Sequence, residues 1–491
     1  MSYRLSKTRP IGNRSPTTLV HLLDDDSLLI IFSLCRPMIL DESEAHDNQF
    51  LLEGGKWSRE RWWHRLIQVC RRWRYLVLQS ASYLRLSLVC GRGTPVANML
   101  AHFPPLPLII DHFDDEYQDL TTEDEEGIIL ALQHRDRVFR IRLRKSIPIL
   151  QKLIIALDGD FPVLEFLLLD NQRYHTPVID HMPNFNLPDT FRAPHLRHLM
   201  LDNFATPIDS PPLTTMVNLV ALLLTRIPYS AYFHPNVLLQ RLFLMPQLEM
   251  LEIGFNLSRD VERVLLRTPT MTRVTLPNLR WLAFRGSNAY LEALLPWVTI
   301  PFLEKLQVCF FNQMLYSIPY LQQFISAARN LRLKIASFAF SQNCLAVTAF
   351  PHMGARLYSL YMELGGRRLD WQVVSAAQVF YAPWTVFSAV EHISLEYNRD
   401  NMSSEWNIEA DRTRWRELLG SFGNVKTLFV DGGLVGQLSR ALQPGKGDSP
   451  MELLPELQEL SYSALGASHD AFTLFVDARQ KTGRPVTIIQ Y

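Results

Sequence analysis

A six-residue pattern that returns twelve times constrains this chain more than any other feature: an aliphatic or aromatic residue, two variable positions, a second apolar residue, one variable position and a third apolar residue. The anchors are Val138, Ile141 and Leu143; Leu164, Leu167 and Leu169; Leu196, Leu199 and Leu201; Leu219, Leu222 and Leu224; Leu248, Leu251 and Ile253; Leu279, Leu282 and Phe284. They continue with Leu303, Leu306 and Val308; Ile335, Phe338 and Phe340; Leu357, Leu360 and Met362; Val390, Ile393 and Leu395; Val425, Leu428 and Val430; and Leu457, Leu460 and Tyr462. Successive first anchors lie 22 to 35 residues apart, with an average of 29 over the 319 residues from Val138 to Leu457. A proline stands two residues ahead of the first anchor at Pro162, Pro194, Pro246, Pro277, Pro301 and Pro455. Its fixed φ and missing N–H end the preceding element and favour an extended approach. Self-similarity at such a period marks a solenoid, because one unit cannot bury its apolar side alone and needs neighbours stacked against it.

Each copy reads as a short strand whose anchors point into a shared core while the intervening residues point out. Connecting segments such as VERVLLRT, YLQQFISAARN and TRWRELLGSF space their apolar residues helically, which predicts helices along the other side of a parallel sheet. The pattern resembles the leucine-rich repeat, whose consensus adds an asparagine three residues after the third anchor. Asn256, Asn343 and Asn398 hold that place, and the other copies lack it. The resemblance implies an α/β solenoid over residues 131–491, an irregular horseshoe with parallel strands inside and helices outside. On such a fold the outward strand residues are the natural contacts for a target. His198, Trp281, Arg285, Lys305, Gln307, Tyr361, Glu363, His392 and Glu396 fall at those positions and include the aromatic and charged types that anchor interfaces.

The N-terminal region has a different texture. Residues 1–19 read as a flexible basic tail, with Arg4, Lys7, Arg9 and Arg14 able to assist nuclear import, and residues 20–88 as helices interrupted by a mixed, acidic loop at 37–60. Asp25 or Asp26 is placed to cap a helix through SLLIIFSLC, which Pro37 ends. A second helix is predicted from near Arg59, with Trp62, Leu66, Val69, Trp73 and Leu76 as an apolar stripe and Arg61, Arg65, Gln68 and Arg72 opposite. Together, LDDDSLLIIFSL and QVCRRWRYLVLQSASYLRLSL resemble the F-box, a small all-α module that binds the Skp-type adaptor of cullin ubiquitin ligases, and VCRRWR at 69–74 is the sharpest part. The family's LP-x-x-LLxxIF opening and VCRxW segment supply the adaptor-facing apolar residues. Here the matching positions are Leu23, Leu28, Leu29, Ile31, Phe32, Val69, Cys70 and Trp73, with Leu66 and Leu76 continuing the stripe. Asp24 stands where the family usually has proline, and the 37–60 insertion lengthens the link between the helical parts, which longer surface loops allow at little entropic cost. The whole layout is similar to the F-box-like proteins of mushroom-forming fungi.

Composition restricts the partners. Hydrophobic residues make up 47% of the 491 and charged residues 20%, as in a folded chain. Lys plus Arg and Asp plus Glu number 49 each, so no net field draws nucleic acid or an anionic membrane. The five cysteines (Cys35, Cys70, Cys90, Cys309, Cys344) form no CxxC pair, and no apolar run reaches the roughly 18 residues that span a bilayer. A cytoplasmic or nuclear protein with reduced thiols is the expectation. Residues 89–130 read as a connector whose stretch at 111–127, with nine carboxylates, is expected to be a solvated loop.

No residue set announces chemistry. GKGDS at 445–449 lacks the first glycine of a phosphate loop, GGLVG at 432–436 lacks dinucleotide-fingerprint spacing and reads as a turn, and His195 and His198 fall in one repeat with His198 facing out. The expectation is therefore a non-enzymatic chain without a cofactor. Its resemblance implies the substrate-recognition subunit of a Skp/cullin/F-box ligase, with the F-box holding the adaptor and the repeats a protein target. The alternative is a leucine-rich interaction scaffold whose F-box-like cap plays no part in a ligase.

Overall fold

The computed structural model describes residues 23–36, 61–113, 120–171, 186–256, 272–311, 317–355, 357–380, 387–397, 412–443, 453–463 and 470–491. The basic tail, the 37–60 insertion, VERVLLRT, Asn398 and GKGDS lie outside them. The chain divides into two compact units, residues 1–114 with 120–131 and residues 115–119 with 132–491.

In the first unit the order is α1 (Asp25–Leu34), α2 (Trp62–Ile67), α3 (Arg71–Gln79), β1 (Leu88–Cys90), α4 (Val96–His102), β2 (Leu108–His112) and α5 (Thr122–Gln133), most of which belongs here. Asp24, rather than Asp25 or Asp26, caps α1: its carboxylate accepts the Ser27 N–H at 2.6 Å. That contact holds the Asp24 carboxyl below the usual carboxylate range. The residue at the family's proline position thus starts the helix by another device.

The expected second helix is two. It breaks at Gln68–Cys70, and the Cys70 sulfur, as the cap of α3, accepts the Trp73 N–H at 3.5 Å. The break rotates α2 relative to the expected stripe, so that Trp63 and Ile67 are buried, Trp62 and Leu66 are half-buried and Val69 is exposed. Trp63 fills the centre, donating its indole N–H to the Ser87 carbonyl at 3.2 Å and meeting Phe103 edge-on at 5.6 Å. Nor is the unit all helical. Parallel pairing of Leu88 with Leu108 and of Cys90 with Ile110 turns the expected connector into a strand–helix–strand–helix run. The acidic stretch is not a solvated loop where it is described, since Asp111 and Asp124 are buried and α5 begins at Thr122.

The second unit is an α/β solenoid. Its strands are β3 (Val138–Lys145), β4 (Phe166–Asn171), β5 (His198–Asp202), β6 (Ala221–Ile227), β7 (Met250–Phe255), β8 (Val274–Thr275), β9 (Trp281–Gly286), β10 (Val298–Thr299), β11 (Lys305–Phe310), β12 (Ile335–Phe340), β13 (Cys344–Phe350), β14 (Leu360–Gly365), β15 (His392–Tyr397), β16 (Thr427–Val430), β17 (Glu459–Tyr462) and β18 (Thr487–Gln490). Apart from the small β8–β10 pair they lie in one sheet, in the order β3-β4-β5-β6-β7-β9-β11-β14-β13-β12-β15-β16-β17-β18. Equivalent anchors stack: Leu167, Leu199, Leu222, Leu251, Leu282, Leu306 and Leu360 form one continuous row. Every anchor except Ile335 and Leu357 is buried, and each such side chain contributes about 1.5–3 kcal/mol of burial. The helices at Pro319–Ala327 and Arg412–Gly420 fall where helical spacing predicts them.

Two departures reshape the repeat. The first is a register correction: β12 pairs with β15 through Ala336–Ile393 and Phe338–Leu395, so the eighth triplet is Leu333, Ala336 and Phe338, two residues ahead of the one expected. The second is topological. β12, β13 and β14 form an antiparallel meander laid down in reverse order, so the ninth copy, not the eighth, follows β11. Residues 341–343 alone join β12 to β13, where other copies place a helix. CLAVTAF instead alternates, burying Leu345, Val347 and Ala349, and makes the return strand.

An asparagine ladder exists, mostly at the other edge from the consensus. Asn218, Asn278 and Asn424 each stand just before a first anchor and donate their amides to the Pro194, Pro246 and Ser388 carbonyls of the preceding copy, at 3.1, 3.0 and 2.6 Å. Of the consensus positions, Asn256 reaches Asn203 Oδ1 at 3.4 Å, whereas Asn343 lies in the β12–β13 turn with its side chain exposed.

Candidate interaction surfaces

In the first unit, α1 and α3 are tied by Phe32 against Trp73, edge-on at 4.7 Å, and by the Arg72–Asp25 ion pair at 2.7 Å, with Arg72 also donating to the Leu23 carbonyl at 2.6 Å. The ten residues matched to adaptor contacts separate into two groups. Leu28 and Phe32 are 1% and 0% exposed, and Leu76 is also buried, so these three hold the unit together. Ile31 is 41% and Val69 59% exposed, while Leu23, Leu29, Leu66, Cys70 and Trp73 are half-buried. Ile30 and Leu34, which the motif match did not single out, are exposed beside them on α1. The described part therefore carries apolar side chains in water beyond those that its core uses. A cleft of about 450 Å³ in the same unit is lined by Arg92, Thr94, Asn98, Glu123, Asp124 and Glu126 among others, but Asp124 is occupied structurally, accepting from Gly93 N–H and the Thr121 hydroxyl at 2.8 and 2.9 Å.

In the solenoid the strand face bearing the outward residues changes character along the sheet. From β4 to β9 much of it is buried as well: Phe166 and Met250 in one row, and Leu168, Met200 and Leu223 in the next, are large and apolar. Trp281 belongs to this stretch at 1% exposed, between Met250 and Lys305, and Lys305 is buried with its ammonium 4.4 Å from the Tyr358 ring centre. Neither presents the exposed side chain expected of it. His198 is half-buried beside Phe166. From β12 to β16 the strands alternate buried with half-buried or exposed residues, and this is where the face opens.

Arg285 and Glu396 are exposed, and Gln307, Tyr361, Glu363 and His392 are half-buried. Hydrogen bonds fix several of them. Tyr358 donates to Gln307 at 2.9 Å, Tyr361 to Glu363 at 3.2 Å, and the hydroxyls of Ser337 and Ser394 to Glu396 at 3.0 and 2.9 Å, while His392 Nδ1 meets the Thr427 hydroxyl at 2.7 Å. Burial, reinforced by the neighbouring Glu363 carboxylate, pushes the Cys309 thiol up to about 12 and raises the Tyr361 phenol.

A second charged set, which the sequence did not single out, lies at the ends of β3 to β6. Asp170 accepts from Arg144 at 2.7 Å and from Arg226 at 3.1 Å, and Arg226 also bonds Asp202. Burial raises the Asp202 carboxyl to about 6 against the pull of Arg226. Its spacing of one residue per strand was legible only once the register was known.

No family model matches this chain, and no curated protein does. Among solved structures it is similar to one described as "Crystal structure of TLR13-ssRNA13 complex", at 15% identity over 82% of this chain and 48% of that one, with a TM-score of 0.32. The chain thus spans about half the length of that structure.

The remaining motifs are structural where they are described. GGLVG opens the helix Gly432–Leu442 rather than a turn, capped by Asp431, and Gly433 is required because a Cβ there would sit 2.6 Å from the Tyr397 ring. His195 is exposed, and among the described residues no three His, Cys, Asp or Glu side chains group as a metal site would need. Among those residues no helix is long and apolar enough to cross a membrane.

Proposed function

We propose that the chain is a non-enzymatic recognition subunit of a Skp/cullin/F-box ubiquitin ligase, with the first unit docking a Skp-type adaptor and the solenoid presenting a protein target. The observation that carries this reading is the exposure of Ile31 on α1 and of Val69 in the break between α2 and α3, one from each of the two F-box-like motifs, in a unit whose own core is completed by Leu28, Phe32, Trp63 and Leu76. Water-exposed apolar side chains in a unit that also exposes charge (Asp25, Arg65, Arg71) are what a partner interface needs. Bridging then raises the local concentration of a bound target near the ligase's ubiquitin-charged enzyme, and no bond is made or broken by this chain. As a leucine-rich repeat protein it would meet that target on its open strand face.

The alternative, an interaction scaffold without ligase function, draws on the burial of Leu28, Phe32 and Leu76, which serve the unit's interior whether or not an adaptor binds. Ile31→Asp combined with Val69→Asp separates the two, since both residues are exposed and outside the unit's core. Capture of a purified Skp-type adaptor by the wild type and its loss in the double variant, at unchanged circular dichroism, supports the adaptor reading. Capture by neither protein, or equally by both, refutes it.

A further inference from the structure

On the reading that the open strand face receives a partner protein, we propose that its floor between β14 and β15 binds an extended basic segment presenting two lysine or arginine side chains four residues apart. Glu363 of β14, Ala346 of β13, Ala339 of β12 and Glu396 of β15 occupy one row across four adjacent strands. Three inter-strand steps of ~4.8 Å place the two carboxylate positions about 14 Å apart, and an extended chain covers that distance in about four residues at roughly 3.3 Å each. An even separation also returns the side chains to the same face of the bound segment. The two residues between the acids are alanines, so a ligand backbone can lie close to the sheet without displacing anything.

Among the described residues both acids are held by uncharged donors. Tyr361 holds Glu363, and Ser337 with Ser394 holds one oxygen of Glu396; these donors are uncharged. Among the described residues neither acid has a basic group at ion-pair distance. Arg285, the nearest cation in the same row, stands two strands from Glu363, beyond Cys309. A cationic segment finds pre-set acceptors there, whereas an acidic one meets only repulsion.

The test uses the full chain and short serine/alanine peptides displayed tetravalently on a fluorescent carrier at low salt. One peptide carries lysines four residues apart, one the same composition with lysines two apart, and one glutamates four apart. The expected result is selective binding of the first, weakened about fivefold by Glu363→Gln or by Glu396→Gln, the upper end of what a surface ion pair contributes, and further by raised salt. Equal binding of the other peptides, no binding at all, or indifference to the double Gln variant overturns the proposal. Adaptor capture by the same preparations is read separately. Capture without peptide selectivity removes this inference alone, and peptide selectivity without capture removes the ligase reading alone.

Discussion

Replacing Phe32 by alanine tests which side of α1 faces the core. Phe32 is fully buried and edge-on to Trp73 at 4.7 Å, while its neighbour Ile31 is 41% exposed. Truncating a buried Phe removes its transfer free energy and leaves a partly collapsed cavity, together about 3–5 kcal/mol. Truncating the exposed isoleucine costs within about 0.5 kcal/mol. Since a folded domain holds only about 5–15 kcal/mol in total, Phe32→Ala removes a third or more of it in many cases, and Ile31→Ala almost none. Hydrogen exchange at amides of α1 and α3, measured across a urea series, reads the first unit without interference from the solenoid. A Phe32→Ala loss below about 1 kcal/mol, or an equal loss for Ile31→Ala, refutes the assignment. Adaptor capture by either variant could not then be separated into contact and folding.

Other expectations follow from single contacts. Gly433→Ala drives a Cβ to 2.6 Å from the Tyr397 ring and is expected to cost about 1–3 kcal/mol by thermal unfolding, with most of it restored by Tyr397→Ala in the same chain. Asn278→Ala leaves the Pro246 carbonyl without its 3.0 Å partner and is expected to cost about 1 kcal/mol, against no loss for the exposed Asn343→Ala. The Asp202 carboxyl, raised from 3.8 to about 6, binds its proton more tightly in the folded chain than in the unfolded one. Its contribution to stability therefore falls as pH rises from about 4 to 6, and urea midpoints across that range lose this slope in Asp202→Asn while keeping it in an Asp209→Asn control.

The repeat was legible because its anchors, Ile335 and Leu357 apart, answer to one requirement, burial, which a single sequence displays directly. The errors came where a second requirement operated. IASFAF satisfies the pattern as well as LKIASF does, and Phe338 and Phe340 are both buried; only pairing with β15 selects Leu333, Ala336 and Phe338. In the first unit LPLII was read with the acidic residues after it, although Leu108, Ile109 and Ile110 are core. Spacing alone placed Trp62 on the buried stripe, because nothing in the composition marks the break that Cys70 caps.

The same distinction governs the candidate site. Whether an outward residue is available depends on the strands beside it, not on its own position in the pattern. Trp281 and Lys305 occupy outward positions, yet Trp281 lies between the large Met250 and Lys305, and Tyr358 covers Lys305. Glu363 and Glu396 remain accessible because alanines of β13 and β12 separate them. In chain order β12 precedes β14, and a simple solenoid would set Ser337 and Ala339 next to Gln307 and Cys309. The reversed meander instead carries these small residues to the β15 side. The two acids therefore face each other across a low floor only because three strands run against the order of the repeat, and that neighbour relation is a property of the sheet which no single copy records.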